Sequence, residues 1–184
     1  MPKNCTIFFL LCVMLGTLKA PVYAQVGPTA TGHQPKLSAG GFGSVFQPGY
    51  AGNGIAQASP NPLVGLGAYF DYKINRFVGV EGEANWLEFN QYLGITEHTY
   101  LLGPKVHIHD FGNWYPYGKF LVGAGGGSFL NGNTTVLSYG GGVDYNLSRH
   151  WIVRAGDFEF QQWLVTPQLH PYGGSVGIAY KILK

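Results

Sequence analysis

The stretch Phe77-Val78-Gly79-Val80-Glu81-Gly82-Glu83-Ala84-Asn85-Trp86-Leu87 alternates along its whole length. Val78, Val80, Gly82, Ala84 and Trp86 fall on one face, and Gly79, Glu81, Glu83 and Asn85 fall on the other. A period of two belongs to extended chain, whereas a helix turning every 3.6 residues would scatter the same side chains around its circumference. The segment therefore reads as a strand with one apolar and one polar face.

The same alternation recurs on both sides of it. Leu63–Lys73 sets Val64, Leu66, Ala68, Phe70 and Tyr72 against Gly65, Gly67, Asp71 and Lys73. Tyr100–His109 sets Tyr100, Leu102, Val106 and Ile108 against Gly103, Lys105, His107 and His109. Leu137–Asn146 and Ser175–Ile182 repeat it, with Tyr139, Val143, Ile178 and Tyr180 among the apolar positions. Two further strands are predicted at Tyr115–Gly125 and Trp151–Phe160. In the latter Trp151 and Val153 share a face and then Phe158 and Phe160 do, so a bulge is expected near Ala155-Gly156. A first strand at Leu37–Gln47, ambiguous in phase around Gly40-Gly41, brings the number to eight.

The connections alternate as well. Those near 48–61, 88–97, 127–133 and 161–170 are longer, and those near 74–76, 110–114 and 146–149 are short. An up-and-down meander with two different rims has this pattern, as do membrane barrels with short periplasmic turns and longer outer loops. The fold expected is all-β: an eight-stranded antiparallel transmembrane barrel.

Composition bears on the choice of solvent. Of the 184 residues 46% are apolar, 15% are aromatic and only 11% are charged, with 29 glycines. A soluble domain carries roughly 25% charged residues. High aromatic content and a net charge of +2 speak against disorder, and the charge is neither large nor clustered enough for nucleic acid. A soluble barrel of lipocalin type is the rival architecture, with an apolar lining and a polar coat. The polar faces here hold glycines and a few charges rather than dense Lys and Glu, which favours lipid outside. Aromatics gather toward both strand ends: Tyr72, Phe77, Tyr145, Trp151 and Tyr180 near short turns, and Phe46, Trp86, Tyr100, Trp163 and Tyr172 near long loops. Two such clusters are expected to be interfacial girdles.

The beginning of the chain suits export. Lys3 precedes an apolar run from Thr6 to Gly16, and Pro21-Val22-Tyr23-Ala24 ends at a small-residue cleavage site. Residues 1–24 thus read as a signal peptide, too short in its apolar part to anchor. Cys12 follows Leu10-Leu11 and lacks the small residue a lipidation site needs. Cys5, Cys12, Lys3 and Lys19 would leave with the signal, taking the net +2 with them. Residues 25–36, rich in Pro and Gly, read as a flexible lead-in to a barrel domain at 37–184.

Tyr139-Gly140-Gly141-Gly142-Val143-Asp144-Tyr145, Trp151-Ile152-Val153-Arg154-Ala155 and the closing Gly174–Ile182 stretch, in this order, resemble the small outer-membrane β-barrel superfamily of opacity-type and outer-membrane protein A-like proteins. The resemblance spans residues 37–184. It implies an outer-membrane location in a Gram-negative-type envelope, with lipid outside and insertion by the outer-membrane assembly machinery. That machinery recognises the last strand, which in this family commonly ends on an aromatic; here the chain ends Ile182-Leu183-Lys184. No peptidoglycan-binding domain is expected after the barrel.

Folding the strands back on their turns sets Lys105 opposite Lys119, Lys119 close to Asp144, Asp144 close to Arg154, and Glu81 level with Lys105. An internal belt of alternating charge, Glu81–Lys105–Lys119–Asp144–Arg154, is expected at one depth, with Glu83, Asp157 and Glu159 able to complete it. Inward Gly65, Gly79, Gly103, Gly123 and Gly142 would leave it room. An eight-stranded barrel is just wide enough for side chains to fill, so such a belt would plug the lumen. The alternative is scattered charges wetted by lumen water.

Enzymatic chemistry finds little support. An acyl hydrolase needs a Ser nucleophile beside a His base, and the nearest pairing, Ser148 with His150, sits at a short turn. His107 and His109 share a face with Asp110 beside them, a thin ligand set for a metal. No catalytic residue, metal or cofactor is expected. Three roles remain: a barrel anchoring exposed loops for adhesion, partner binding or envelope integrity, with Tyr50 and Tyr92 on those loops; a narrow porin-like channel; and a lipid A-modifying enzyme. The extracellular ligand of the first is not specified by the sequence.

Overall fold

Eight strands follow one another without a helix between them among the described residues: β1 (Leu37–Gln47), β2 (Leu63–Lys73), β3 (Val78–Leu87), β4 (Glu97–His107), β5 (Trp114–Gly127), β6 (Thr134–Asn146), β7 (Trp151–Trp163) and β8 (Tyr172–Leu183). The computed structural model describes residues 36–49, 62–89, 95–128, 130–166 and 169–183. The signal segment, the lead-in apart from Lys36, and loop residues Tyr50 and Tyr92 lie outside them. Each strand pairs antiparallel with its neighbours, and β1 pairs with β8 to close the barrel. Closure leaves no unpaired edge, as a bilayer requires of a sheet.

The short turns are held by local chemistry. Asn75 Oδ1 accepts the backbone N–H groups of Phe77 and Val78, both at 2.8 Å, to fold β2 back on β3. Between β4 and β5 Gly112 takes a φ of 65°, which glycine adopts without the steric cost a Cβ brings. Ser148 Oγ accepts the N–H groups of His150 and Trp151 at 3.2 and 3.1 Å.

In β7, Arg154 pairs with Gly177 whereas Asp157 pairs with Ser175, so Ala155-Gly156 forms the extra step of a bulge. The bulge turns both Arg154 and Asp157 inward. It also carries every second residue after it inward, which corrects one expectation: Trp163 shares the phase of Asp157 and is 0% exposed, inside the barrel rather than in a girdle. Phe46 is likewise inside, because β1 turns Ser38, Phe42, Ser44 and Phe46 to the lumen and leaves Val45 on the lipid face.

The inward glycines do more than leave room. A Cβ at Gly65 would run into the backbone of Trp86, one at Gly103 into that of Phe120, and one at Gly123 into that of Tyr100. Their absence of a side chain permits the close strand approach of a small, strongly coiled barrel. Gly103→Ala is expected to destabilise the detergent-folded barrel by about 1–3 kcal/mol, the usual cost of forcing extra atoms into a tight interior. Gly112→Ala cannot serve as the control, given its φ; Ala155→Gly on the exposed bulge can, and urea midpoints measured together would compare them.

Candidate functional site in the barrel lumen

Three cations and six carboxylates meet inside the barrel. Lys105 Nζ lies 2.8 Å from Asp71, 2.9 Å from Glu81 and 2.9 Å from Asp144. Lys119 Nζ lies 3.1 Å from Glu81, 3.0 Å from Glu83 and 2.5 Å from Asp157, and also contacts Glu159. Arg154 spans the two groups: its Nη2 is 2.6 Å from Glu81 and its Nη1 3.2 Å from Asp157. Aromatic faces complete the enclosure. The Arg154 guanidinium sits 3.7 Å from the Tyr69 ring centre, and Lys105 Nζ sits 3.8 Å from that of Tyr117. All three cations have fully buried charged groups. At such depth a charge is tolerated only when it is paired and hydrogen-bonded.

Strand register explains which contacts form. Lys105 pairs with Lys119 and Asp144 with Arg154, as hairpin counting predicts. Glu81 pairs with Gly103 and Lys119 with Gly140, however, so Lys119 lies four residues of register away from Asp144 and makes its ion pairs with β3 and β7 instead. Residues paired across tilted, staggered strands do not stay level around a barrel. The charges accordingly form two tiers joined by Glu81 and Arg154, not a single ring. Asp71, Tyr69 and Tyr117 complete the tiers. Asp71 stands on the polar face of its strand in the sequence, but its closeness to Lys105 across β3 appears only on closure.

Toward the long loops the lumen turns apolar. Leu101, Leu121, Val136, Trp163 and Leu169 form one buried cluster, and Phe46, Leu63 and Leu87 another, with Ile95 against both. Polar groups between cap and charges satisfy one another: Ser44 Oγ donates to Asn85 at 2.8 Å, Ser138 Oγ to Glu159 at 2.9 Å, and Trp163 Nε1 to Gln161 at 3.0 Å. Alternation along a strand separates inward from outward residues, but does not say how far along the axis an inward Leu or Trp will meet others. No local signal could have located this cap.

The family profile described as "Outer membrane protein beta-barrel domain" matches residues 9–181. The chain belongs to this outer-membrane β-barrel family. Its fold is similar to that of Neisserial surface protein A (TM-score 0.56, 12% identity), over 80% of this chain and 97% of that one. It is also similar to the outer membrane protein OprG from Pseudomonas aeruginosa (TM-score 0.54, 14% identity), over 83% and 99% of the two chains. The N-terminal β-barrel domain of Pseudomonas aeruginosa OprF gives a TM-score of 0.51 at 13% identity, over 80% and 98%. No curated protein matches the chain in sequence.

The outer surface of this barrel is apolar. Leu66, Phe70, Leu102, Phe120, Val122, Phe158, Val176 and Ile178 are all exposed there. Of the aromatics assigned to girdles, Tyr72, Phe77, Trp86, Tyr100, Trp151, Tyr172 and Tyr180 point outward, Tyr145 is half-buried against Trp114 with ring centres 4.7 Å apart, and Trp163 does not belong. Near the long loops Trp86 Nε1 donates to Tyr100 Oη at 3.1 Å, and near the short turns Trp151 meets Tyr180 edge-on at 5.3 Å. β4 ends at His107, so His109 and Asp110 lie in the exposed turn while His107 is buried. Ser148, its hydroxyl engaged by two backbone donors, caps a turn.

Proposed function

We propose that this outer-membrane barrel anchors its outer loops at the cell surface, for adhesion, partner binding or envelope integrity, and that its lumen is a filled plug. The observation that carries the reading is the stacking of two closed layers: the paired charges around Lys105, Lys119 and Arg154, and the apolar cap around Trp163. Arg154, Lys105 and Trp163 are each 0% exposed, which leaves little room for a continuous water path at their levels. The lipid-facing aromatics would seat the barrel in the outer membrane of a Gram-negative-type envelope, after insertion through recognition of β8.

Planar-bilayer recording tests the plug. The refolded barrel is expected to give no steady conductance above background at neutral pH. Steady single-channel steps would overturn the plug and favour a narrow pore. A non-enzymatic role is proposed with it, since the hydroxyl of Ser148, the serine nearest a histidine in the sequence, is engaged by the backbone N–H groups of His150 and Trp151 at a turn. Incubation with lipopolysaccharide should leave its acyl chains intact by mass spectrometry, and acyl loss would overturn that part.

A further inference from the structure

The charge network is not balanced equally throughout. Around Lys119 the carboxylates of Glu81, Glu83 and Asp157 stand as a cation-binding trio would, and the ammonium of Lys119 occupies the position, within 3.1 Å of each. A second trio lies nearer the short turns. One ligand atom from each of Asp71, His107 and Asp144 lies within 4.8 Å of the others. Lys105 takes one oxygen from each aspartate, Oδ2 of Asp71 at 2.8 Å and Oδ2 of Asp144 at 2.9 Å. The remaining polar atoms of the trio, Asp71 Oδ1, His107 Nδ1 and Asp144 Oδ1, are buried and make no hydrogen bond. The nearest cationic group to Asp144 Oδ1 among the ion pairs is Arg154 Nε at 3.7 Å. The three side chains come from β2, β4 and β6, so only barrel closure assembles them, and His107 is 3% exposed.

Buried polar atoms are nearly always satisfied, and three residues that gather ligand atoms within 4.8 Å and each keep a buried atom without a hydrogen bond call for a ligand that takes lone pairs from all of them. All three can act as lone-pair donors, two anionic oxygens and an imidazole nitrogen. We propose that Asp71, His107 and Asp144 bind a divalent transition-metal ion of the zinc class at the short-turn mouth of the lumen. Mixed imidazole and carboxylate ligation suits zinc, which bonds nitrogen and oxygen at about 2.0–2.2 Å. Such bonds require ligand atoms roughly 3.3 Å apart, so small side-chain rotations would close the trio around the ion. The surroundings accommodate the charge: Lys73, Lys105, Lys119 and Arg154 face six carboxylates, and a divalent ion matches the remaining excess of two. Lys105, bridging the same two aspartates, would orient them as outer partners of metal ligands do.

Equilibrium dialysis of the refolded, tag-free barrel against zinc chloride, with metal counted by mass spectrometry, tests this directly. One zinc per barrel is expected. His107→Gln should weaken retention at least tenfold, and His109→Gln on the exposed turn should leave it unchanged. Asp144→Asn provides the second variant should His107→Gln fail to give the heat-modifiable folded band. No retained zinc, equal losses in the His107 and His109 variants, or full retention in the folded His107 or Asp144 variant would each overturn the site. Bilayer conductance is a separate readout, so the metal site and the plug can fail independently.

Discussion

Lys119→Met should destabilise the folded barrel more than any other single substitution considered. Its ammonium is the shared partner of four carboxylates, those of Glu81, Glu83, Asp157 and Glu159. Methionine is one atom shorter, fills most of the same space and removes the charge, so the effect reads out mainly electrostatics rather than a cavity. Removing one partner of a single buried pair costs about 3–5 kcal/mol, and here four anions lose a common counter-charge, leaving Arg154 to hold only some of them. The expected result is a loss of unfolding free energy of at least that size in urea titrations, or failure to refold at neutral pH. Adding Glu159→Gln should recover part of the loss, because it removes one of the stranded anions, and a double-mutant cycle would isolate the coupling. A Lys119→Met barrel as stable as wild type would mean that lumen water, not Lys119, compensates these carboxylates.

Arg154→Ala is expected to be the next most damaging change. The guanidinium is the link between the two tiers, 2.6 Å from Glu81 and 3.2 Å from Asp157, and it also covers the Tyr69 ring. Alanine removes the charge, the cation–π contact and most of the side-chain volume, at a cost of about 3–5 kcal/mol for the broken pairs. Arg149→Ala provides the comparison, since Arg149 lies exposed in the turn between β6 and β7. The unfolding temperature in detergent should fall well below wild type for Arg154→Ala and stay close to it for Arg149→Ala. Equal shifts would refute an internal network and return the charges to independent solvation.

Both predictions depend on a network whose members are legible in sequence, as are its Glu81–Lys105 and Asp144–Arg154 contacts, although the partners of Lys119 are not. Glu81, Glu83, Lys105, Lys119, Asp144, Arg154, Asp157 and Glu159 all lie on polar faces of alternating strands, and inward placement follows once lipid is taken as the outer solvent. The bulge was equally visible, as the change of phase between Val153 and Phe158. Its consequence for Trp163 follows from the same phase change, because the flip persists to the end of β7. Position near a loop is therefore a weaker guide to an aromatic than the parity of its strand.

Sequence alone determined the eight strands, their alternation of long and short connections, and the face on which nearly every described charge lies. These are local properties: a period of two is set by the pleat of each strand, and turns by a few adjacent residues such as Asn75, Gly112 and Ser148. Only the tertiary structure decided that Lys119 meets Glu159 rather than Asp144, that Phe46 and Trp163 each join an apolar cluster inside the barrel, and that Asp71, His107 and Asp144 converge. Those contacts depend on the stagger accumulated around a closed barrel, a global quantity. It brings together side chains from strands that share no hydrogen bond, and no single segment encodes it.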